Sequence, residues 1–326
     1  MLIIEQQFSY GVTFLRETFI PTLNQMLVML IFILAGYVLN KAHVLGNKSD
    51  KVMSKLENNL FVPALIINTF MMNCTLENIK ASWKYIVYSA GLLVIAMLIA
   101  HFVAKLFTNN EYGIHIFEYA LTFGNFSFMG NAVVLALLGE EMLFKYMIFT
   151  LPMNIVVYTW GTFILTPNDA EGRSFGIKRL INPIIISLII GLILGLTNAQ
   201  QYMPYALKAS LESASKCMSP MAMILTGFVM ADYPLKTLVT KKRIYTVTAL
   251  RLIVIPSIFL TLLKLIKAPQ EMIILALFAY ATPLGLNTVI FPSAYGGDTK
   301  TGARMASISH VLCIFTIPLM YMLFIG

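Results

Sequence analysis

Residues 121–138 read LTFGNFSFMGNAVVLALL, an apolar stretch that is interrupted in its middle by glycines and small polar residues. The interrupting residues are Gly124, Asn125, Ser127, Gly130 and Asn131. A helix that crosses lipid satisfies its backbone groups internally, and unwound backbone is tolerated only where protein or a water-filled cavity surrounds it. The stretch therefore predicts a broken transmembrane helix whose backbone and amide groups can bind a ligand.

A second stretch of the same kind lies in the other half of the chain, where residues 281–292 read ATPLGLNTVIFP. Interrupted hydrophobic segments at corresponding positions of two halves are the best sequence indication of a transporter's binding site. Each stretch taken alone also fits a kinked helix that packs through small residues. The pairing of the two stretches favours a binding site.

The composition is that of a membrane protein. The chain has 326 residues, of which 58% are hydrophobic and 12% are charged, and its mean hydropathy is +0.79. Soluble domains are about 25% charged, so we predict an all-α polytopic protein of the plasma or inner membrane. The net charge of +8 is assigned to loop lysines and arginines that set the topology, and no nucleic-acid partner is expected.

The sequence shows no motif of an enzyme or of a metal centre. Its three cysteines, Cys74, Cys217 and Cys313, form no CxxC pair, and its four histidines form no H-x-x-x-H pattern. No Ser-His-Asp order or glycine-rich phosphate loop occurs. We therefore expect no catalytic activity, no metal and no cofactor.

Ten runs of about 20 mostly apolar residues are long enough to span a bilayer. The first half contains 22–40, 53–72, 83–106, 115–138 and 143–165, and the second contains 181–198, 207–231, 244–266, 271–294 and 303–325. We number these predicted spans 1 to 10. Residues 1–21 are predicted to form a lead-in or interfacial helix, and residues 166–180 a cytoplasmic linker between the halves 22–165 and 181–326.

Lysine and arginine are distributed unequally between the two sets of loops. The loops after spans 1, 3, 5, 7 and 9 carry most of them, for example Lys48, Arg179 and Lys242. Cytoplasmic loops are enriched in these residues. Both termini are therefore predicted to be extracytoplasmic.

Four short matches relate the two halves in chain order. Gly36 matches Gly195, Val62-Pro63-Ala64 matches Ser219-Pro220-Met221, Leu138-Gly139-Glu140 matches Gly296-Gly297-Asp298, and Phe149-Thr150-Leu151-Pro152-Met153 matches Phe315-Thr316-Ile317-Pro318-Leu319. Because each half has five spans, the second half enters the membrane from the opposite side, which predicts an inverted repeat. The interruptions in spans 4 and 9 then face each other near the midplane, with the positive ends of half-helices directed at an anion site.

Further motifs are spread along the chain. They are Leu34-Ala35-Gly36-Tyr37, Gly124-Asn125-Phe126-Ser127-Phe128-Met129-Gly130, Arg251-Leu252 ahead of Pro256, Asn287-Thr288-Val289 with Tyr295-Gly296-Gly297-Asp298, and Thr316-Ile317-Pro318. Together they resemble the auxin efflux carrier family, which includes bacterial malate and malonate permeases and plant auxin exporters. The resemblance implies a fold like that of sodium/proton antiporters, in which spans 4 and 9 cross at their breaks. It also implies a scaffold of spans 1, 2, 6 and 7, a moving transport domain of spans 3–5 and 8–10, a homodimer, and small organic carboxylates as substrates.

One position departs from the pattern of that family, which reads G-[IVL]-P after the first interruption. This chain has Gly130-Asn131-Ala132 there, so a proline is absent and an additional amide is present. Asn131 is therefore expected to alter the shape or the polarity of the substrate pocket.

Six residues of the two interrupted stretches are candidates for substrate contact. They are Asn125, Ser127, Asn131, Pro283, Asn287 and Thr288. Asparagine offers donors and acceptors that can bind a carboxylate without a cation in the membrane, and the resemblance implies that Asn125 and Asn287 flank the substrate. In the alternative interpretation, the amides cap broken backbone and the hydroxyls bond their own helix.

Four residues are candidates for ion coupling or gating: Arg251, His310, Asp298 and Glu57. Arg251 lies inside a span, where charged residues are functional by default, and we expect it to pair with Asp298 or Glu57 or to snorkel to the surface, with direct contact to the substrate as the alternative. His310 is either a carrier of a coupled proton or a neutral side chain bonded to a neighbouring helix. Glu57 lies near the start of a span, where a solvated carboxyl is expected.

These observations predict a secondary active transporter of small organic anions, such as dicarboxylates or auxin-like carboxylates. We expect elevator-type alternating access, with the substrate at the crossing of spans 4 and 9 and with Na⁺ or H⁺ as the coupling ion. The alternative is a transporter-like membrane receptor or regulatory protein that binds an organic ligand without moving it. The expected partners are a small organic carboxylate and the lipid bilayer.

Overall fold

The structure of the protein, a computed structural model, describes residues 19–46, 48–167, 181–233, 242–294 and 297–325. Within these ranges the chain is helical and contains no β-strand. Most of the predicted lead-in (1–21) and most of the predicted linker (166–180) lie outside the described residues.

The helices follow one another with short connections between them. They are α1 (Ile20–Lys41), α2 (Ser49–Leu56), α3 (Val62–Asn73), α4 (Leu76–Ala104), α5 (Glu111–Thr122), α6 (Asn131–Phe149), α7 (Leu151–Leu165), α8 (Pro183–Leu196), α9 (Tyr205–Ala231), α10 (Lys242–Leu265), α11 (Gln270–Tyr280), α12 (Asn287–Ala294) and α13 (Thr299–Phe324). Single π-helical turns join α2 to α3 (Glu57–Phe61), precede α6 (Phe126–Gly130), and lie within α7 (Val157–Gly161) and α10 (Leu250–Val254). A short 3₁₀ helix, Ala199–Gln201, lies between α8 and α9.

Five of the described helices are long and apolar enough to cross a membrane on their own, namely α1, α4, α9, α10 and α13. The shorter helices α7, α8 and α11 are also apolar. Helix α6 is interrupted at Gly139, whose φ of 80° lies in the left-handed region that glycine adopts without steric cost. The sequence places the end of span 4 at this position. The architecture is therefore that of a helical membrane protein.

Helix α9 packs closely against α1 and α3, and α3 packs against α8. Glycines let the backbones touch in this group. A Cβ added to Gly227 would lie 1.8 Å from the carbonyl oxygen of Ile33, and one added to Gly195 would lie 2.5 Å from that of Phe70. Small residues at helix contacts are usual in membranes, where the hydrophobic effect does not drive helices together.

The helix is interrupted in both of the stretches that the sequence marks. Helix α5 ends at Thr122, Phe123 is extended (φ −117°, ψ 128°), and helical structure resumes at Phe126. Helix α11 ends before residues 281–286, and α12 follows. We call residues 123–125 the first break and residues 281–286 the second break.

The second Gly-Asn pair of the first stretch is not unwound. Gly130 has φ −61° and ψ −48°, and Asn131 has φ −58° and ψ −43°, so both residues are helical. The unwound part of the stretch is confined to the region of the first pair, Gly124 and Asn125.

Candidate functional site

The two breaks are in contact with each other. Gly124 and Leu284 form an isolated antiparallel bridge, and the backbone N–H of Asn125 donates to the carbonyl of Pro283 at 2.6 Å. A Cβ added to Gly124 would lie 2.6 Å from the hydroxyl oxygen of Thr282 and 2.8 Å from its carbonyl oxygen. Glycine is therefore required at this position for the breaks to approach so closely.

The side chain of Asn125 is buried and is held by a histidine from α13. Nδ2 of Asn125 lies 3.1 Å from Nε2 of His310, and Nδ1 of His310 lies 2.7 Å from the carbonyl oxygen of Ala306. Because a carbonyl can only accept, Nδ1 carries the proton that it donates, and Nε2 of the neutral ring accepts from the amide. His310 thus bonds a neighbouring segment and fixes the orientation of Asn125.

Asn287 begins α12, and its amide is held by a tyrosine from α5. Nδ2 of Asn287 donates to the hydroxyl of Tyr119 at 3.0 Å. The neighbouring Thr288 is fully buried, and its hydroxyl donates to the carbonyl of Gly285 at 2.9 Å. The Thr288 hydroxyl therefore bonds the backbone of its own segment, as in the alternative interpretation of the sequence. Asn287 is free to present its carbonyl oxygen.

A small cavity lies where the breaks meet, and we call it the break cavity. Its lining includes Asn125, Ser127, Asn154, Tyr158 and Asn287, and its volume is ≈ 20 Å³. A water molecule needs about 10–15 Å³ of such space. In this conformation the break cavity has room for water and not for a carboxylate.

A second cavity, of ≈ 30 Å³, adjoins the first, and we call it the side cavity. Its polar lining consists of Ser127, Asn131, Thr150 and Asn154, and its apolar lining includes Ile66 and Phe70 of α3 and Ile184, Ile185 and Leu188 of α8. Ser127 and Asn154 line both cavities. The predicted residues Asn125, Ser127, Asn131 and Asn287 are therefore brought together, although Asn131 faces only the second cavity.

Arg251 is fully buried beside both breaks. Its Nη2 donates to the carbonyl of Ala279 at 3.3 Å, its guanidinium carbon lies 5.6 Å from the ring centroid of Tyr280, and its Nε and Nη1 have no hydrogen-bond partner. A Cβ at Gly124 would lie 2.5 Å from Nη2. The expectation that Arg251 snorkels to the surface is therefore wrong. The expected ion pair of Arg251 is also absent among the described residues, whose ion pairs are formed by His101, Lys145 and Lys216.

The two acids proposed as partners of Arg251 have other surroundings. Asp298 is exposed and caps α13, where its carboxylate accepts from the backbone N–H groups of Lys300 and Thr301 at 2.9 and 3.3 Å. Glu57 lies in the π turn between α2 and α3, is fully buried, and has no partner for either carboxyl oxygen. The expectation of a solvated Glu57 is therefore wrong, since the turn directs its side chain into the helix packing.

Sequence reasoning missed three residues that the structure brings to the breaks: Tyr119, Asn154 and Tyr158. The available signal was a polar residue inside an apolar run, since Asn154 directly follows the motif at 149–153 that repeats in span 10. Among the described residues, no group of three or more His, Cys, Asp or Glu side chains is arranged to hold a metal ion.

Comparison with known proteins identifies the family. The model of a family described as "Membrane transport protein" matches residues 21–321. A comparison with individual curated proteins gives no match. The matched region contains both breaks, both cavities and Arg251, and the family is one of transporters and not of enzymes. The chain therefore belongs to the auxin efflux carrier family of membrane transport proteins.

Proposed function

We propose that the protein is a secondary active transporter of small organic anions, and that the anion binds between Asn125 and Asn287 where the two breaks meet. The observation that carries this proposal is the direct contact of the breaks, with Asn125 N–H on Pro283 O at 2.6 Å. Unwound backbone at membrane depth is tolerated where it lines a site, and two breaks in corresponding halves are the expected ground plan.

The charges around the breaks favour an anion. The helical segments that begin at Phe126 and at Asn287 both start at a break, and a helix N-terminus carries a partial positive charge and free N–H groups. The buried guanidinium of Arg251 adds a full positive charge next to Gly124. None of the described residues lining the break cavity is acidic.

A larger cavity supports a route to the site from the predicted cytoplasmic side. It has a volume of ≈ 330 Å³, and its lining includes Asp50, Lys51 and Lys55 around α2, Asp232 and Tyr233 after α9, and Val289 of α12. An apolar cluster that includes Met53, Leu225, Leu286 and Val289 contributes to the linings of both cavities, since Leu225 and Val289 line the larger cavity and Leu286 lines the break cavity. Opening the site therefore requires the two sides of this cluster to separate.

We propose an elevator-type movement for this opening, with ten spans in two inverted repeats. In the proposal, spans 1, 2, 6 and 7 form the scaffold, which matches the close packing of α1, α3, α8 and α9. Spans 3–5 and 8–10 carry the breaks past it. Na⁺ or H⁺ is the proposed coupling ion, the protein is proposed to be a homodimer, and both termini are placed outside the plasma membrane.

Flux measurements on variants test this proposal. Asn125→Ala and Asn287→Ala should each reduce carboxylate flux into proteoliposomes at least tenfold, because each removes an amide donor and acceptor, buried at Asn125 and partly buried at Asn287, from the site. The matched control is Asn59→Ala, which removes an exposed amide and should leave flux unchanged. Wild-type flux in both site variants would overturn the site, and carboxylate binding without any flux in the wild type would identify a receptor.

A further inference from the structure

The side cavity has two chemically different walls. One wall consists of Ser127, Asn131, Thr150 and Asn154, and the other consists of apolar side chains of α3 and α8. A volume of ≈ 30 Å³ has room for one or two groups of the size of a water molecule. The apolar wall offers no charge or donor to a second carboxylate, whereas the polar wall offers hydrogen bonds to one small polar group.

Two of the four polar side chains of this wall, Thr150 and Asn154, donate their hydrogen bonds to backbone carbonyls. The Thr150 hydroxyl donates to the carbonyl of Tyr146 at 3.0 Å, and Nδ2 of Asn154 donates to the carbonyl of Thr150 at 3.2 Å. Oδ1 of Asn131 has no partner, and the residue is 5% exposed. An amide oxygen can only accept, so Oδ1 of Asn131 is the atom of this wall that a donor from a ligand would satisfy.

Asn131 is placed in this wall by the continuous helix that follows the first break. The π turn Phe126–Gly130 runs directly into α6, and Asn131 is the first residue of α6. A buried amide with an unpartnered oxygen costs about 1–3 kcal/mol relative to a satisfied one. A ligand that supplies a hydroxyl at this point recovers that free energy, and a ligand that lacks the hydroxyl does not.

We propose that the substrate is a small hydroxycarboxylate with a single carboxylate, and that Asn131 determines the preference for its hydroxyl. The carboxylate lies at the breaks, next to Asn125 and Asn287. The hydroxyl reaches past Ser127 and Asn154, which line both cavities, and donates to Oδ1 of Asn131. This inference rests on the proposed transport of organic anions and adds the chemical class of the anion.

Binding of two matched pairs of carboxylates to the purified full-length protein tests the inference. Lactate and propionate differ by one hydroxyl, as do glycolate and acetate. The wild type should bind the hydroxylated member of each pair at least about tenfold more tightly, because a site with a buried acceptor rejects an analogue that lacks the donor. A fixed acceptor should also distinguish the two enantiomers of lactate, and this measurement needs no variant.

Asn131→Leu keeps the size of the side chain and removes the acceptor. It should lose the preference for lactate over propionate, so that the two affinities agree to within about threefold. The control Asn59→Leu replaces an exposed amide and should retain the preference. Equal binding of lactate and propionate by the wild type would overturn this inference and leave anion transport standing, whereas binding of no carboxylate at all would overturn both.

Discussion

Replacing Arg251 with methionine is expected to change stability and anion binding in opposite directions. The guanidinium is fully buried, and two of its three nitrogens have no hydrogen-bond partner. Replacing buried ionic groups with apolar groups of similar volume is often neutral or stabilising by about 1–4 kcal/mol, because the desolvation of the charge is avoided. The free energy of unfolding of Arg251→Met should therefore equal or exceed that of the wild type.

The same charge acts on an anion in the break cavity. Nη2 of Arg251 would lie 2.5 Å from a Cβ at Gly124, and Asn125 is the next residue. The guanidinium is next to Gly124, and we take a ligand beside Asn125 to be about two Cα–Cα spacings away. At about 3.8 Å for each spacing, the distance between the ligand and the guanidinium is about 8 Å. At an effective dielectric constant of about 20, two unit charges at that distance attract each other by about 2 kcal/mol. Loss of this attraction should weaken carboxylate binding roughly 30-fold.

Calorimetric binding and thermal unfolding in the same detergent measure the two effects. Arg251→Lys keeps the charge and loses the planar guanidinium, so it should retain most of the affinity of the wild type. Arg243→Met is the matched control on the same helix, because Arg243 is exposed and donates to the carbonyl of Phe107 at 3.0 Å. Neither property of the control should change by more than about 0.5 kcal/mol.

One result would refute this account. If Arg251→Met unfolds at a markedly lower temperature and yet binds carboxylates with wild-type affinity, the guanidinium holds the breaks together and does not act on the ligand. Its single hydrogen bond, to Ala279 at 3.3 Å, and its position over Tyr280 would then be its whole role.

Two further pairs of variants test the packing around the site. Gly124→Ala should lower the free energy of unfolding by about 1–3 kcal/mol and impair flux because its Cβ meets backbone, whereas Gly91→Ala, which has open space around it, should be neutral or stabilising in the same thermal assay. Glu271→Gln should destabilise the protein by about 1 kcal/mol, because it weakens the partly buried ion pair with Lys145 (2.6 Å). Glu212→Gln breaks an exposed ion pair and should leave the melting temperature unchanged.

The positions of the breaks could be predicted from the sequence to within one stretch, but not to the residue. Glycine in a helix costs about 1 kcal/mol relative to alanine, and the stretch 121–138 contains two Gly-Asn pairs with the same local preference. The contacts that select the first pair are tertiary. Asn125 N–H bonds Pro283 O, and the space beside Gly124 is filled by Arg251. Local sequence preferences do not contain information about these tertiary contacts.

The partners of the charged residues could not be predicted for the same reason. Arg251 and Glu57 are both buried and unpaired, and the sequence gives no measure of the distance between their helices. Asp298 is an expected ion-pair partner of Arg251, but an acid just before a helix is also a typical N-cap, and Asp298 takes that role at the start of α13. The N-cap preference was the more reliable of the two signals because it depends only on neighbouring residues.

Four of the eleven buried polar side-chain atoms that lack a hydrogen-bond partner among the described residues belong to Asn131, Arg251 and Tyr280, beside the breaks. Oδ1 of Asn131, Nε and Nη1 of Arg251, and the hydroxyl of Tyr280 are all buried without a partner. Native proteins leave few such atoms, and each one calls for an explanation. A polar group that has no partner in the empty site gains more from a ligand than one that is already satisfied, and these groups lack an acceptor for the guanidinium and a donor for the amide. In the proposed complex the hydroxyl of the anion supplies the donor that Oδ1 of Asn131 lacks, and the carboxylate interacts with the Arg251 guanidinium through its charge at about 8 Å, so part of the free energy withheld from the empty site is recovered on binding.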